Sequence, residues 1–157
     1  ESASSPETVR RAIEMEACRI VNVKIQRLGG IQKAREVIEL CAARGIPTWM
    51  GTMPELGLAS LHALYLALHP NCTYPTDVEA SRRWYQDDII DPPITVRDGW
   101  INIPPEHHAR PRIDTAAVDR YRKRAAEWYL ECHSPAPNRI ANKSASRSDI
   151  RNRMGRS

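Results

Sequence analysis

Apolar and polar positions change their period several times along this chain, and each change predicts an element. Val9, Ile13 and Ala17 fall on one helical face, and the preceding "SSPET" supplies a serine cap, a proline in the first turn and Glu7 behind it. "CRIVNV" follows as a short, unbroken apolar run, read as a strand. "GGIQKAREVIELCAARG" returns to helical spacing at Ile31, Ala34, Val37, Ile38 and Cys41, with Gly45 as its stop. "IPTWMG" predicts a second strand and "TMPELG" a loop. "LASLHALYLALHP" predicts a helix apolar almost all round, and "NCTYPTD" a last short extended segment.

Helices and strands alternating through short loops are the pattern of parallel βαβ units. Strands in such sheets are buried on both faces, which accounts for the continuous "IVNV". The repeat, about 25 residues from Val21 to Pro47 and again to Thr73, predicts an α/β fold: a β/α barrel or an open doubly wound sheet. From Asp87 the pattern breaks. "DDIIDPPITVRDGWINIPP" reads as two extended pieces around an Asp98-Gly99 turn, a hairpin. "IDTAAVDRYRKRAAEWYLEC" reads as an amphipathic helix with Val118, Tyr121, Ala125 and Trp128 inward. Residues 133–157 are polar and aperiodic, as a disordered tail would be.

Charge adds little to the body of the chain. The net charge of the 157 residues is +4, yet residues 133–157 hold six basic side chains against Asp149 alone. The basicity is therefore the tail's, and without interleaved aromatics it does not predict nucleic-acid binding. No apolar run reaches the length of a membrane span, and "ESASSPETVRR" has no apolar export core. Cys18, Cys41, Cys72 and Cys132 show no CxxC spacing; they are expected as free thiols, with Cys18 and Cys41 buried. These features predict a cytoplasmic setting.

In parallel β/α folds, functional side chains project from the carboxyl ends of strands. Lys24, Glu55 and Asp77 stand at three successive strand ends. Each alone also fits a solvated loop charge. A lysine acting as a base must shed its proton more readily than a free amine, which burial and a neighbouring cation both favour. Arg27 is the candidate cation, or else an anchor for helix carbonyls or a carboxylate. Gly29-Gly30 could present backbone N–H groups to an anion, or only allow close helix–strand approach. The loop "GTMPELG" likewise fits either an anion-holding set of amides or a plain connection.

Together these residues resemble the last third of an enolase-superfamily barrel, of the muconate-lactonizing subgroup that includes o-succinylbenzoate synthases and N-acylamino acid racemases. The resemblance runs from Glu1 to about Pro104. It rests on "IVNVKIQRLGG", "ELCAARGIPTWMGTMPELGLASLHALYLAL" and "YPTDVEASRRWYQDDIIDPP". It implies strands 6–8 of a (β/α)7β barrel of the TIM type in residues 1–86. Residues 87–132 would then be a hairpin and helix packing back on the barrel or on a capping region. Lys24 is implied as the acid/base lysine, with Arg27 beside it. Thr52, Met53, Glu55 and Asp77 are implied as substrate-binding, Asp77 at the end of the eighth strand. Ile25-Gln26 departs from the Pro-Gly of the synthases, and Thr52 and Pro54 depart from their loop.

The resemblance also implies Mg²⁺, with ligands outside this chain, since Glu1 aligns just past the last of them. The implied reaction removes the proton next to a substrate carboxylate through an enediolate. Loss of water would follow, as in o-succinylbenzoate synthesis; racemisation, epimerisation or cycloisomerisation are the alternatives. The implied partners are a small carboxylate substrate and the missing N-terminal part of the barrel or a complementing chain. Homo-oligomerisation is left open. A non-catalytic remnant or interaction chain is the other class, because the metal ligands and the first lysine are absent.

Overall fold

The computed structural model describes residues 2–103 and 111–133. The chain divides into two units, Glu1–Val118 and Asp119–Ser157.

The first unit opens with α1 (Pro6–Glu14), capped as its sequence predicts. The Ser5 hydroxyl accepts from the Thr8 N–H at 3.2 Å, and the Thr8 hydroxyl accepts from the Ser5 N–H at 3.0 Å. Backbone hydrogen bonding, and then the Ser5 side chain, lowers the Glu7 carboxyl below its ordinary range. Val9 and Ile13 are buried, but Ala17 is not. The helix ends at Glu14, and Glu16 turns the chain at φ 53°, so the expected third member of the stripe lies outside the helix.

β1 (Val21–Val23) leads through α2 (Ile25–Leu28) and α3 (Ile31–Ala42) to β2 (Thr48–Met50). β1 and β2 pair in parallel, with Val21 opposite Thr48 and Val23 opposite Met50. After α4 (Gly57–Ala67), the third extended segment contributes only a bridge between Thr48 and Cys72. Val21, Val23, Thr48 and Met50 point toward the helices and are buried. Asn22 and Trp49, on the opposite face, are only half-buried. The described residues thus cover the second face of the strands only in part.

The core is the helix side of this small sheet. Ala34, Val37, Ile38 and Cys41 of α3 reach zero exposure against Val23, Leu28 and Met50, whereas Ile31 is 40% exposed. Each large aliphatic side chain buried this way contributes about 1.5–3 kcal/mol. Burial, with Cys18 adding to it, pushes the Cys41 thiol up to about 11. All four cysteines are free, with Cys18 half-buried and not fully so.

Farther along, β3 (Ile90–Asp91) pairs antiparallel with β4 (Arg112–Ile113). The expected hairpin turn is present: Arg97 and Trp100 exchange backbone hydrogen bonds of 2.9 and 2.8 Å around Asp98 (φ 51°) and Gly99 (φ 80°). Two positive φ angles are the geometry for which Asp-Gly is suited.

α5 (Thr115–His133) forms where the sequence predicts a helix, and Asp114 accepts from the Ala117 N–H at 3.0 Å at its start. Its packing differs from expectation. Ala117 is the buried residue, while Val118, Ala125 and Trp128 are exposed and Tyr121 is half-buried. The apolar spacing is real, but basic residues at 120 and 122–124 leave only a narrow stripe. Within the second unit, Tyr129 and His133 stack one helical turn apart, with ring centroids 4.1 Å apart. The basic tail beyond His133 lies outside the described residues. Among the described residues, no helix is long and apolar enough to cross a membrane.

Candidate active site

The site is built at the carboxyl ends of the two paired strands. Lys24 directly follows Val23 and serves as the extended N-cap of α2, half-buried. Side chains alternate along a strand, so Lys24 continues the Asn22 side of the sheet, opposite Val21 and Val23. Arg27 lies three residues farther in the same single turn, also half-buried and engaged in an interaction of its own. Gly29 (φ 80°) ends that turn and Gly30 (φ 138°) opens α3. Both angles explain the glycine pair through backbone conformation, which any anion-binding role would be additional to.

The loop after β2 is organised by carboxylates. Glu55 is 9% exposed. Its Oε1 accepts from the Thr52 hydroxyl and, at 3.4 Å, from the Met53 N–H; its Oε2 accepts from the Gln26 side-chain amide. Asp77 accepts from the Thr52 N–H at 2.6 Å. Thr76 anchors the same segment by donating to the Met50 carbonyl at 2.7 Å. The Tyr85 hydroxyl donates to the Pro54 carbonyl at 3.2 Å, and the Gly57 N–H donates to Asp88 at 2.9 Å.

The structure therefore brings Thr52, Met53, Glu55 and Asp77 into one network. Lys24 and Arg27 join it through their turn, because Gln26 stands between them in sequence. The sequence treats Gln26 only as a departure from a family pattern and misses it as a link. A hydrogen bond between residues 29 apart leaves no periodic trace. Asp88, which holds the start of α4, is missed for the same reason.

Two features shape what the arrangement can do. The loop N–H groups of Thr52 and Met53 already donate to the chain's own carboxylates, so they are not free oxyanion donors in this state. Among the described residues, no group of three or more His, Cys, Asp or Glu side chains could hold a metal ion. Glu55 spends both oxygens on neutral donors, which is the chemistry of a structural carboxylate. The described residues do not by themselves make a magnesium site. A cleft of about 470 Å³, with Leu64, Pro75, Thr76, Val78 and Trp100 among its lining, includes none of the six candidate residues.

Parallel strands joined through helices, with charged side chains at their carboxyl ends, define the barrel-forming β/α class. Residues 1–107 match the enolase C-terminal domain-like family, and the chain belongs to it. It is 37% identical over 121 residues to the o-succinylbenzoate synthase of Geobacillus stearothermophilus, covering 77% of this chain and 32% of that protein. It is 40% identical over 104 residues to the N-succinylamino acid racemase of Thermus thermophilus, covering 66% and 28%. The muconate lactonizing enzyme of Pseudomonas putida shares the fold at a TM-score of 0.66 and 24% identity, over 76% of this chain and 33% of that one. The chain thus spans about a third of the length of the relatives it matches. Family and fold both agree with the resemblance in the sequence.

Proposed function

We propose that this chain supplies one side of the active site of an enzyme that removes the proton next to a substrate carboxylate, most closely of the o-succinylbenzoate synthase kind. The observation that carries this reading is the placement of Lys24. It sits half-buried at the carboxyl end of β1, in a turn tied to the Glu55 loop.

In this mechanism the neutral Lys24 amine takes the α-proton, and the electron pair of the broken C–H bond passes into the carboxylate as an enediolate. Arg27 shares the single turn that Lys24 caps. Glu55 and Asp77 set the loop's shape by holding the Thr52 and Met53 amides, and the Thr52 and Met53 side chains form part of the wall against the substrate. The charge developed on the carboxylate must be met by groups outside the described residues. Mg²⁺ would supply that stabilisation when bound, with its ligands on strands outside this chain. In the synthase reading, the protonated Lys24 returns its proton to the hydroxyl on the adjacent carbon, which leaves as water while the enediolate's electron pair forms the new C=C bond. In the racemase reading, supported by the 40% identity to the Thermus enzyme, an acid outside the described residues delivers a proton to the opposite face of the same carbon.

The test is α-proton exchange in D₂O with Mg²⁺, using the protein at its natural length. An N-succinyl amino acid and the precursor of o-succinylbenzoate are the two substrates. Lys24→Ala is expected to slow exchange about 10²–10⁴-fold. Equal rates in variant and parent would remove Lys24 from the chemistry. Water loss without racemisation selects the synthase; racemisation without water loss selects the racemase.

A further inference from the structure

α2 is a single turn, too short to hold its own orientation by helix cooperativity. Glycines with positive φ separate it from α3, so its direction depends on what its side chains grip. Leu28 is buried in the core and anchors its far end. At its near end the exposed Gln26 reaches across to Glu55, on the loop that follows the neighbouring strand.

Glu55 gives this bond its weight. The Thr52 and Met53 donors to Oε1 come from Glu55's own loop, whereas the Gln26 donor to Oε2 comes from the other strand's end. A surface hydrogen bond between two solvated groups would contribute little. Here one partner is a carboxylate nine-tenths buried, and taking away its donor leaves a buried charged oxygen poorly satisfied. The loop would have to shift to rewet it, and the Lys24 turn would lose its tether.

The geometry points to Gln26 as a positioning residue: through Glu55 it fixes the turn that begins with Lys24 against the loop after β2. It touches no reacting atom, and it deepens the proposed function by resting on the role given there to Lys24. Two backbone amides report the link from its two sides. The Leu28 N–H donates to the Lys24 carbonyl at 3.3 Å, and the Met53 N–H donates to Glu55 at 3.4 Å. The Ala34 N–H, bonded to the Gly30 carbonyl at 3.1 Å in α3, is a control outside the link.

The experiment measures amide hydrogen exchange and α-proton exchange in Gln26→Leu and Gln26→Glu, made in the protein at its natural length. Gln26→Leu keeps bulk without a donor. Gln26→Glu keeps the shape but sets a second carboxyl, in place of an amide donor, against Glu55. Both variants are expected to speed exchange at Leu28 and Met53 together, about tenfold, with Ala34 unchanged. The catalytic loss should appear in kcat with KM little changed, as for a misaligned base. Unchanged Leu28 exchange in both variants, or a change at Met53 alone, overturns the link. Coupled exchange in a protein that catalyses no α-proton exchange keeps the link and overturns the proposed reaction instead.

Discussion

Helices α3 and α5 carry similar sequence patterns and meet opposite fates. In α3 the stripe Ala34, Val37, Ile38 and Cys41 reaches zero exposure. In α5, longer at 19 residues, Trp128 stays 64% exposed and Leu130 likewise 64%. An apolar stripe determines that a helix is amphipathic; whether anything covers the stripe depends on residues elsewhere in the chain or beyond it. For α3 the cover is close in sequence, because Val23, Leu28 and Met50 come from its flanking elements. The same contrast divides the two faces of the β1–β2 pair, where the helix side is buried and the Asn22–Trp49 side is open.

The sharpest way to break this comparison is Ile38→Ala. A side chain fully buried in α3 should cost about 2–5 kcal/mol when truncated, read from chemical denaturation. A loss below 1 kcal/mol would mean that the helix side is not a packed core. Gly51→Ala should be next. A Cβ there would fall 2.1 Å from Asn22 Oδ1, so the open face must give locally, at a cost of about 1–3 kcal/mol. Adding Asn22→Ala should return most of that loss, and a purely additive double variant would contradict the contact. Smallest is Trp128→Ala, expected to change stability by less than about 0.5 kcal/mol. A large loss would show that another surface covers the α5 stripe in solution.

How far the sequence reaches follows the same physics. Local rules carried α1 from the Ser5 cap, α3 from its spacing and the Asp98-Gly99 turn from its residue pair. They failed where the outcome depended on distant atoms. Ala17 was lost when the chain turned at Glu16, the third strand shrank to the Thr48–Cys72 bridge, and the α5 stripe stayed exposed. In the candidate site, the family motif proposes Lys24, Glu55 and Asp77. It could not disclose that Glu55 binds Gln26, or that the Thr52 amide is already taken by Asp77.

The account's central claim is that the Lys24 amine faces the substrate's reacting carbon. The most direct measurement is a crystal structure of the protein at its natural length with o-succinylbenzoate and Mg²⁺ bound. The account predicts the Lys24 nitrogen about 3–3.5 Å from the carbon next to the carboxylate, on the side of the Glu55 loop. A ligand seated elsewhere, with that nitrogen turned to the outer surface, would contradict it.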